Sequence, residues 1–142
     1  MATVRETGEF GLLARLAATV AGADSWPGRV RGIGDDAAIW RQPPAGMVAT
    51  ADMLVEGVHF DLALTGWRDL GWKALAVNLS DVAAMGAAPL LALISLGLPA
   101  DTPLAHVDDL YDGLRDLAAQ SACAIAGGDT VSVQRDVVIS VA

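Results

Sequence analysis

Nineteen consecutive residues, Val82 to Ala100, carry no charged side chain. That is long enough to cross a bilayer as one helix. Yet Gly86, Pro89, Gly97 and Pro99 interrupt the run, and Asp81 and Asp101 flank it. Proline cannot continue a helix and glycine weakens one. The run therefore divides into a helix end, a turn, and a strand expected over Leu90–Leu98 and buried on both faces. A covered strand directly behind a helix implies layers of helix on sheet, not a membrane span.

The rest of the pattern agrees with that division. Gly8–Gly22 reads as an amphipathic helix with Phe10, Leu13, Leu16, Ala17 and Val20 on one face. Asp24–Gly34, with Pro27 and three glycines, reads as loop. Ala37–Trp40 and Met47–Ala51 read as two short strands joined across Pro43-Pro44-Ala45-Gly46, and Leu54–Phe60 fits either strand or ordered loop. A long helix is expected from an N-cap at Thr65 to about Met85, and a second one starts near Pro103 and reaches Gln120. Ala122–Ala126 and Asp136–Ala142 are the remaining strands. The order predicts an α/β protein of the α+β sandwich type, a mixed β-sheet covered by helices on one face. The last strand stops with the chain, without cap or polar tail, which is expected of a piece of a longer polypeptide.

The chain has 142 residues, 54% of them hydrophobic, enough for one domain with a real core. Its net charge of −8 opposes binding to nucleic-acid backbones or anionic membranes. A single cysteine, Cys123, rules out an internal disulfide, and its apolar neighbours predict a buried structural thiol. Arg5, Glu6 and Glu9 precede any apolar run, unlike a signal peptide, so a cytoplasmic protein is expected.

Five of the seventeen acidic residues fall in four short motifs: Gly34-Asp35-Asp36-Ala37-Ala38, Thr50-Ala51-Asp52, Asn78-Leu79-Ser80-Asp81 and Gly127-Gly128-Asp129-Thr130. Each sets a carboxylate beside small residues that let a ligand approach the backbone. Carboxylates repel an anion, but they hold Mg²⁺, and Mg²⁺ holds a polyphosphate. Asp36 is favoured over Asp35 as a ligand. Asp52 is expected near a strand end, with the Thr50 hydroxyl and the Ala51 carbonyl as further oxygens. Asp81 interrupts an otherwise apolar helix, where an unpaired carboxylate is costly; a metal or solvent must occupy that face. Gly127-Gly128-Asp129 reads as a turn whose amides point at phosphate while Asp129 shares a cation. His59, in Glu56-Gly57-Val58-His59-Phe60, is a candidate phosphate contact. Each motif alone is also an ordinary turn or cap. The sequence holds neither a Walker-type loop nor the parts of a nucleophilic triad.

The motifs, in this order, resemble the N-terminal half of the thiamine-monophosphate kinase family, part of the superfamily of aminoimidazole ribonucleotide synthetase and the hydrogenase maturation proteins. The resemblance runs from Gly8-Glu9-Phe10 through Ile33 to Ala38, Asp52 to Phe60 and Lys73 to Ala87, ending at Gly127-Gly128-Asp129-Thr130. It implies ATP-dependent phosphorylation of thiamine monophosphate to thiamine diphosphate, by direct in-line transfer assisted by several Mg²⁺ ions. By the same resemblance Asp36, Thr50, Ala51, Asp52, Asp81 and Asp129 are metal ligands, and Gly128, Asp129 and Tyr111 belong to the ATP site. His59 contacts the thiamine phosphate. Residues 1–142 would be the ATP-binding and dimerisation domain of a homodimer, inactive without the family's C-terminal domain. Two alternatives stay open: another ATP-dependent synthetase or maturation protein of the superfamily, and a non-catalytic Mg²⁺- or nucleotide-binding module.

Overall fold

The structure, a computed structural model, describes residues 3–20, 29–31, 39–40 and 47–142. Among the described residues three helices and six strands follow in chain order: α1 (Val4–Val20), β1 (Arg29–Arg31), β2 (Ile39–Trp40), β3 (Asp52–Val55), α2 (Trp67–Ala84), β4 (Leu91–Pro99), α3 (Leu104–Gln120), β5 (Ala124–Val133) and β6 (Val138–Val141). The main sheet has the order β3-β6-β4-β5. Its β4–β5 pair is parallel and its β4–β6 and β3–β6 pairs are antiparallel, so the sheet is mixed as expected. A parallel pair needs a crossover, and α3 provides it.

Alternation along β4 explains the layering. Ala92, Ile94, Leu96 and Leu98 are buried and join Leu54, Ile139 and Val141 in one apolar face. Leu12, Leu16, Leu70, Leu75, Leu110 and Leu114 of the helices close over that face in a single cluster. The opposite face is open: Met53 is 57% exposed and Val131 52%. Burial of β4 on both faces, expected from its lack of charge, is therefore corrected, because only one face has a helical layer. Among the described residues no helix is long and apolar enough to cross a membrane.

Helices α2 and α3 meet through two glycines. A Cβ on Gly71 would lie 1.9 Å from the Leu110 carbonyl oxygen, and one on Gly113 would lie 1.9 Å from that of Arg68. Only hydrogen at both positions lets the backbones approach so closely.

Several element boundaries differ from expectation. A capped turn precedes the expected start of α1, with Thr3 N donating to Glu6 Oε2 at 2.9 Å and Glu6 N to Thr3 Oγ1 at 3.3 Å. The backbone then breaks at Gly8, where φ is +70°. Leu16 and Val20 of the expected stripe are buried, joined by Leu12, while Phe10 is 85% exposed; tertiary contact shifts the buried stripe by part of a turn. Met47–Ala51 form no strand. Instead β2 pairs with β1, inside the segment read as loop, with Arg29 opposite Trp40. The α2 N-cap is Gly66, one residue beyond Thr65, and it has no side-chain hydrogen bond. The Gly34-Asp35-Asp36 motif and the Pro43–Gly46 connection lie outside the described residues.

Candidate functional site

The structure joins two of the sequence motifs directly. Thr50 Oγ1 donates to Asp81 Oδ2 at 3.0 Å, linking the segment before β3 to the end of α2. Asp81 is exposed, which corrects the expectation that a buried helix face holds its carboxylate. The buried polar group is Asn78, one turn earlier and only 4% exposed. Its Nδ2 donates to the Ala74 carbonyl at 3.1 Å, and its Oδ1 has no partner among the described residues. Buried amides are ordinarily satisfied, so this oxygen is a feature that reading the sequence for charge passed over.

Asp52 opens β3; it does not close the strand expected before it. It lies in one cross-sheet row with Val141, Ile94 and Gly128. Three strand spacings of about 4.8 Å place Asp52 and Gly128 about 14 Å apart, at opposite edges of the sheet. Asp129 lies in the next row, with Met53, Ser140 and Ser95, on the open face. Within one chain, then, Asp129 and Asp52 stand apart. A single ion with ligands at 2.0–2.1 Å cannot touch both carboxylates.

Gly127-Gly128-Asp129-Thr130 is part of strand β5 and makes no turn, which corrects the sequence reading. The ladder irregularity lies just before it, with Ala92 opposite Ile125 and Leu93 opposite Gly127. Of the two glycines only Gly128 has a positive φ, +154°. A Cβ there would lie 1.7 Å from the Ile94 carbonyl oxygen. Asp129 Oδ1 accepts from Thr130 N at 2.8 Å, which leaves the rest of the exposed carboxylate open.

His59 is held by a turn that follows β3. His59 N donates to the Val55 carbonyl at 2.9 Å, and Gly57 N to that of Phe60 at 2.8 Å, with Gly57 at φ +76°. Buried Phe60 anchors the turn in the core. Val55 N donates to His59 Nδ1 at 3.1 Å, so in the neutral ring the proton sits on Nε2. This tautomer presents an N–H donor to solvent at an exposed position. Lys73 Nζ donates to the His59 carbonyl at 2.5 Å, placing a cation at the backbone of that residue, a contact that no sequence motif announced. Lys73 and Asp81 are eight residues apart on α2, about 12 Å along its axis. The His59–Lys73 post and the acidic corner thus flank the same run of chain, 50–60.

Two residues lie away from these posts. Tyr111 is 4% exposed and packs in the core cluster. Burial pushes its hydroxyl far above the ordinary tyrosine range. That position is inside the fold and does not line the acidic corner. Cys123 is buried as expected, and burial pushes its thiol up to about 11, so it is no nucleophile. His106 stacks on Trp67, ring centroids 5.1 Å apart, which accounts for both without a ligand. Among the described residues no three His, Cys, Asp or Glu side chains converge to hold a metal ion.

Comparison with known proteins places this geometry in context. The family described as AIR synthase related protein, N-terminal domain, matches residues 34–142. The thiamine-monophosphate kinase of Synechococcus elongatus is 44% identical over 129 residues, which cover 89% of this chain and 37% of that protein. A crystal structure of thiamine-monophosphate kinase from Stenotrophomonas maltophilia K279a superposes with a TM-score of 0.73 at 41% identity, over 94% of this chain and 41% of that one. A structure described as AaThiL complexed with AMPPCP and TMP gives a TM-score of 0.63 at 35% identity, over 99% of this chain and 42% of that one. The chain thus spans about two fifths of the length of the relatives it matches.

Proposed function

The chain belongs to the family of AIR synthase related proteins, as their N-terminal domain, and from that premise we propose that it is the nucleotide- and metal-binding part of an enzyme that phosphorylates thiamine monophosphate with ATP. The observation that carries the reading is the Thr50–Asp81 corner at one end of a stretch of chain, 50–60, whose other end holds His59. The relatives support it. The most similar of those above bear the kinase's name, and one is complexed with AMPPCP, a non-hydrolysable form of ATP, together with TMP.

The donors present suit Mg²⁺. Thr50, Asp52 and Asp81 offer only oxygen, and Mg²⁺ takes one or two carboxylates together with substrate phosphates and needs no all-protein cage. Asp36 and the Ala51 carbonyl belong to the same proposed set. When bound, the ions neutralise the phosphates and so let two anions meet. The chain's own residues do the positioning. His59 Nε2–H donates to the acceptor phosphate, and Lys73 adds positive charge beside it. Gly128 offers its exposed backbone to the nucleotide, while the space of its missing Cβ is taken by the Ile94 carbonyl. Cys123 is buried and His59 Nδ1 is engaged, so transfer goes directly from ATP to acceptor, by positioning and charge.

The open sheet face supports a homodimer formed by this domain, with Met53, Val131 and half-buried Leu93 and Val138 as its contact surface. Asp129, on that face and across the sheet from Asp52, then serves the partner's site. In this reading residues 1–142 act as the N-terminal domain of a cytoplasmic enzyme and are expected to give no turnover by themselves.

The test uses the protein of the full reading frame, incubated with MgATP and thiamine monophosphate, with thiamine diphosphate quantified. Product that requires the metal and disappears with EDTA supports the reading. No product, with ATP still bound, would move the acceptor to that of another member of the superfamily.

A further inference from the structure

The turn that carries His59 is fastened to the fold at both feet. Glu56 N donates to the Val137 carbonyl at 3.0 Å, and Glu56 Oε2 accepts from Val137 N at 2.9 Å, which ties the first residue of the turn to the start of β6. Buried Phe60 ties its last residue to the core. β3 is an edge strand, and the turn takes up the polar groups of Val55 at that edge. The Val55 carbonyl accepts from Val58 N at 3.1 Å and from His59 N at 2.9 Å, and the Val55 amide donates to His59 Nδ1 at 3.1 Å. The carbonyl of His59 itself has no backbone donor among the described residues. Lys73 Nζ bonds it instead, at 2.5 Å.

Lys73 stands on a firm base. Its neighbours on α2, Leu70, Ala74 and Leu75, are fully buried, and the close approach at Gly71 locks that part of the helix against α3. A side chain held by a rigid helix fixes its partner more tightly than one on a loop. Nδ1 accepts from Val55 only while the backbone at residue 59 keeps its place, and that bond puts the proton of the neutral ring on Nε2. Release of the carbonyl therefore costs the ring both its orientation and its single tautomer. We propose that Lys73 is a positioning residue for the phosphate transfer, clamping the His59 carbonyl so that Nε2–H meets the acceptor phosphate. The proposal rests on the transfer reading above and goes beyond the charge assigned to Lys73 there. Charge acts over several ångströms, whereas a donor displaced by about 1 Å loses most of its catalytic worth.

The test uses the protein of the full reading frame. Lys73→Met, which keeps an unbranched stem and removes the donor, should raise KM for thiamine monophosphate about 2- to 12-fold, the factor that one net hydrogen bond is worth. KM for ATP should not move, and Lys73→Arg should restore most of the loss. In a His59→Ala background the same Lys73→Met change should cost less than about twofold, because the group it positions is gone. Histidine-selective ¹⁵N spectra give a readout independent of activity, with the His59 signals identified by their loss in His59→Ala. The parent should show Nδ1 unprotonated and Nε2 protonated, and Lys73→Met should move both signals towards the mixed tautomers of a free imidazole. Losses that multiply in the double variant would mean that Lys73 acts by charge alone and would overturn the proposal, as would His59 ring signals that Lys73→Met leaves in place. A parent protein that makes no thiamine diphosphate overturns the transfer reading and the role with it, while the ring signals still tell whether the clamp exists.

Discussion

Gly127 and Gly128 are neighbours in one motif, and the structure sets opposite demands on them. An alanine Cβ at 128 would lie 1.7 Å from the Ile94 carbonyl oxygen, 2.5 Å from its carbon and 2.8 Å from the Ile94 nitrogen. Real Cβ atoms keep at least 3.0 Å from such atoms, so β5 must part from β4 by more than an ångström. Overpacking of this kind costs about 1–3 kcal/mol, and holding alanine at φ +154° adds about 1–3 kcal/mol. Each ladder hydrogen bond weakened by the parting adds about 0.5–1.5 kcal/mol. The reduced entropy of the unfolded chain returns only about 0.4–1 kcal/mol. Gly128→Ala is therefore expected to destabilise by about 3 kcal/mol or more. At Gly127 the added Cβ would meet only Leu93 Cδ2 at 3.5 Å, an ordinary contact. Gly127→Ala should stay within about 1 kcal/mol of the parent. Urea unfolding of the three proteins, compared at matched m-values, decides it. Equal stability of the two variants, or a neutral Gly128→Ala, would refute the close approach of β5 to β4.

Three further outcomes follow from the same structure. Gly113→Ala improves intrinsic helix propensity by about 1 kcal/mol, but the Cβ would lie 1.9 Å from the Arg68 carbonyl oxygen, so calorimetry should show a lower Tm; a higher one would contradict the α2–α3 crossing. Burial raises the Cys123 thiol from 9.0 to about 11. The folded state thus holds that proton more tightly, and the resulting stability is complete below pH 9 and lost as pH rises through 11. Wild type should lose more stability than Cys123→Ala across that window, and parallel curves would remove the effect. In the protein of the full reading frame, His59→Ala should raise KM for thiamine monophosphate about tenfold or more, the worth of a charge-assisted hydrogen bond, and steady-state kinetics with an unchanged KM would detach His59 from the acceptor.

Much of the architecture was legible because composition and punctuation act locally. Pro89 and Pro103 separate α2, β4 and α3, and the uncharged run ahead of Asp101 announces a covered strand. The errors arose where distant partners decide. Two adjacent glycines signal a turn as readily as a strand, and only the register of β5 on β4 makes Gly128 a strand residue facing Ile94. Leu16 and Val20 occupy the buried stripe of α1 as expected, but tertiary contact adds Leu12 and leaves Phe10 outside. Asp81 drew attention because a carboxylate in an apolar helix is unusual. The buried polar residue of that helix, Asn78, is uncharged and carries no such signal. The link from Lys73 to His59 joins residues fourteen apart through a backbone carbonyl, which no side-chain pattern encodes.

The central claim is that the acidic corner exists to hold a divalent cation that carries nucleotide phosphate. Mn²⁺ in place of Mg²⁺ makes that ion countable by electron paramagnetic resonance in the protein of the full reading frame. The account predicts that bound Mn²⁺ rises with ATP and that both fall together in Asp81→Asn. ATP that binds equally well with EDTA present, and Mn²⁺ binding that Asp81→Asn leaves unchanged, would contradict it.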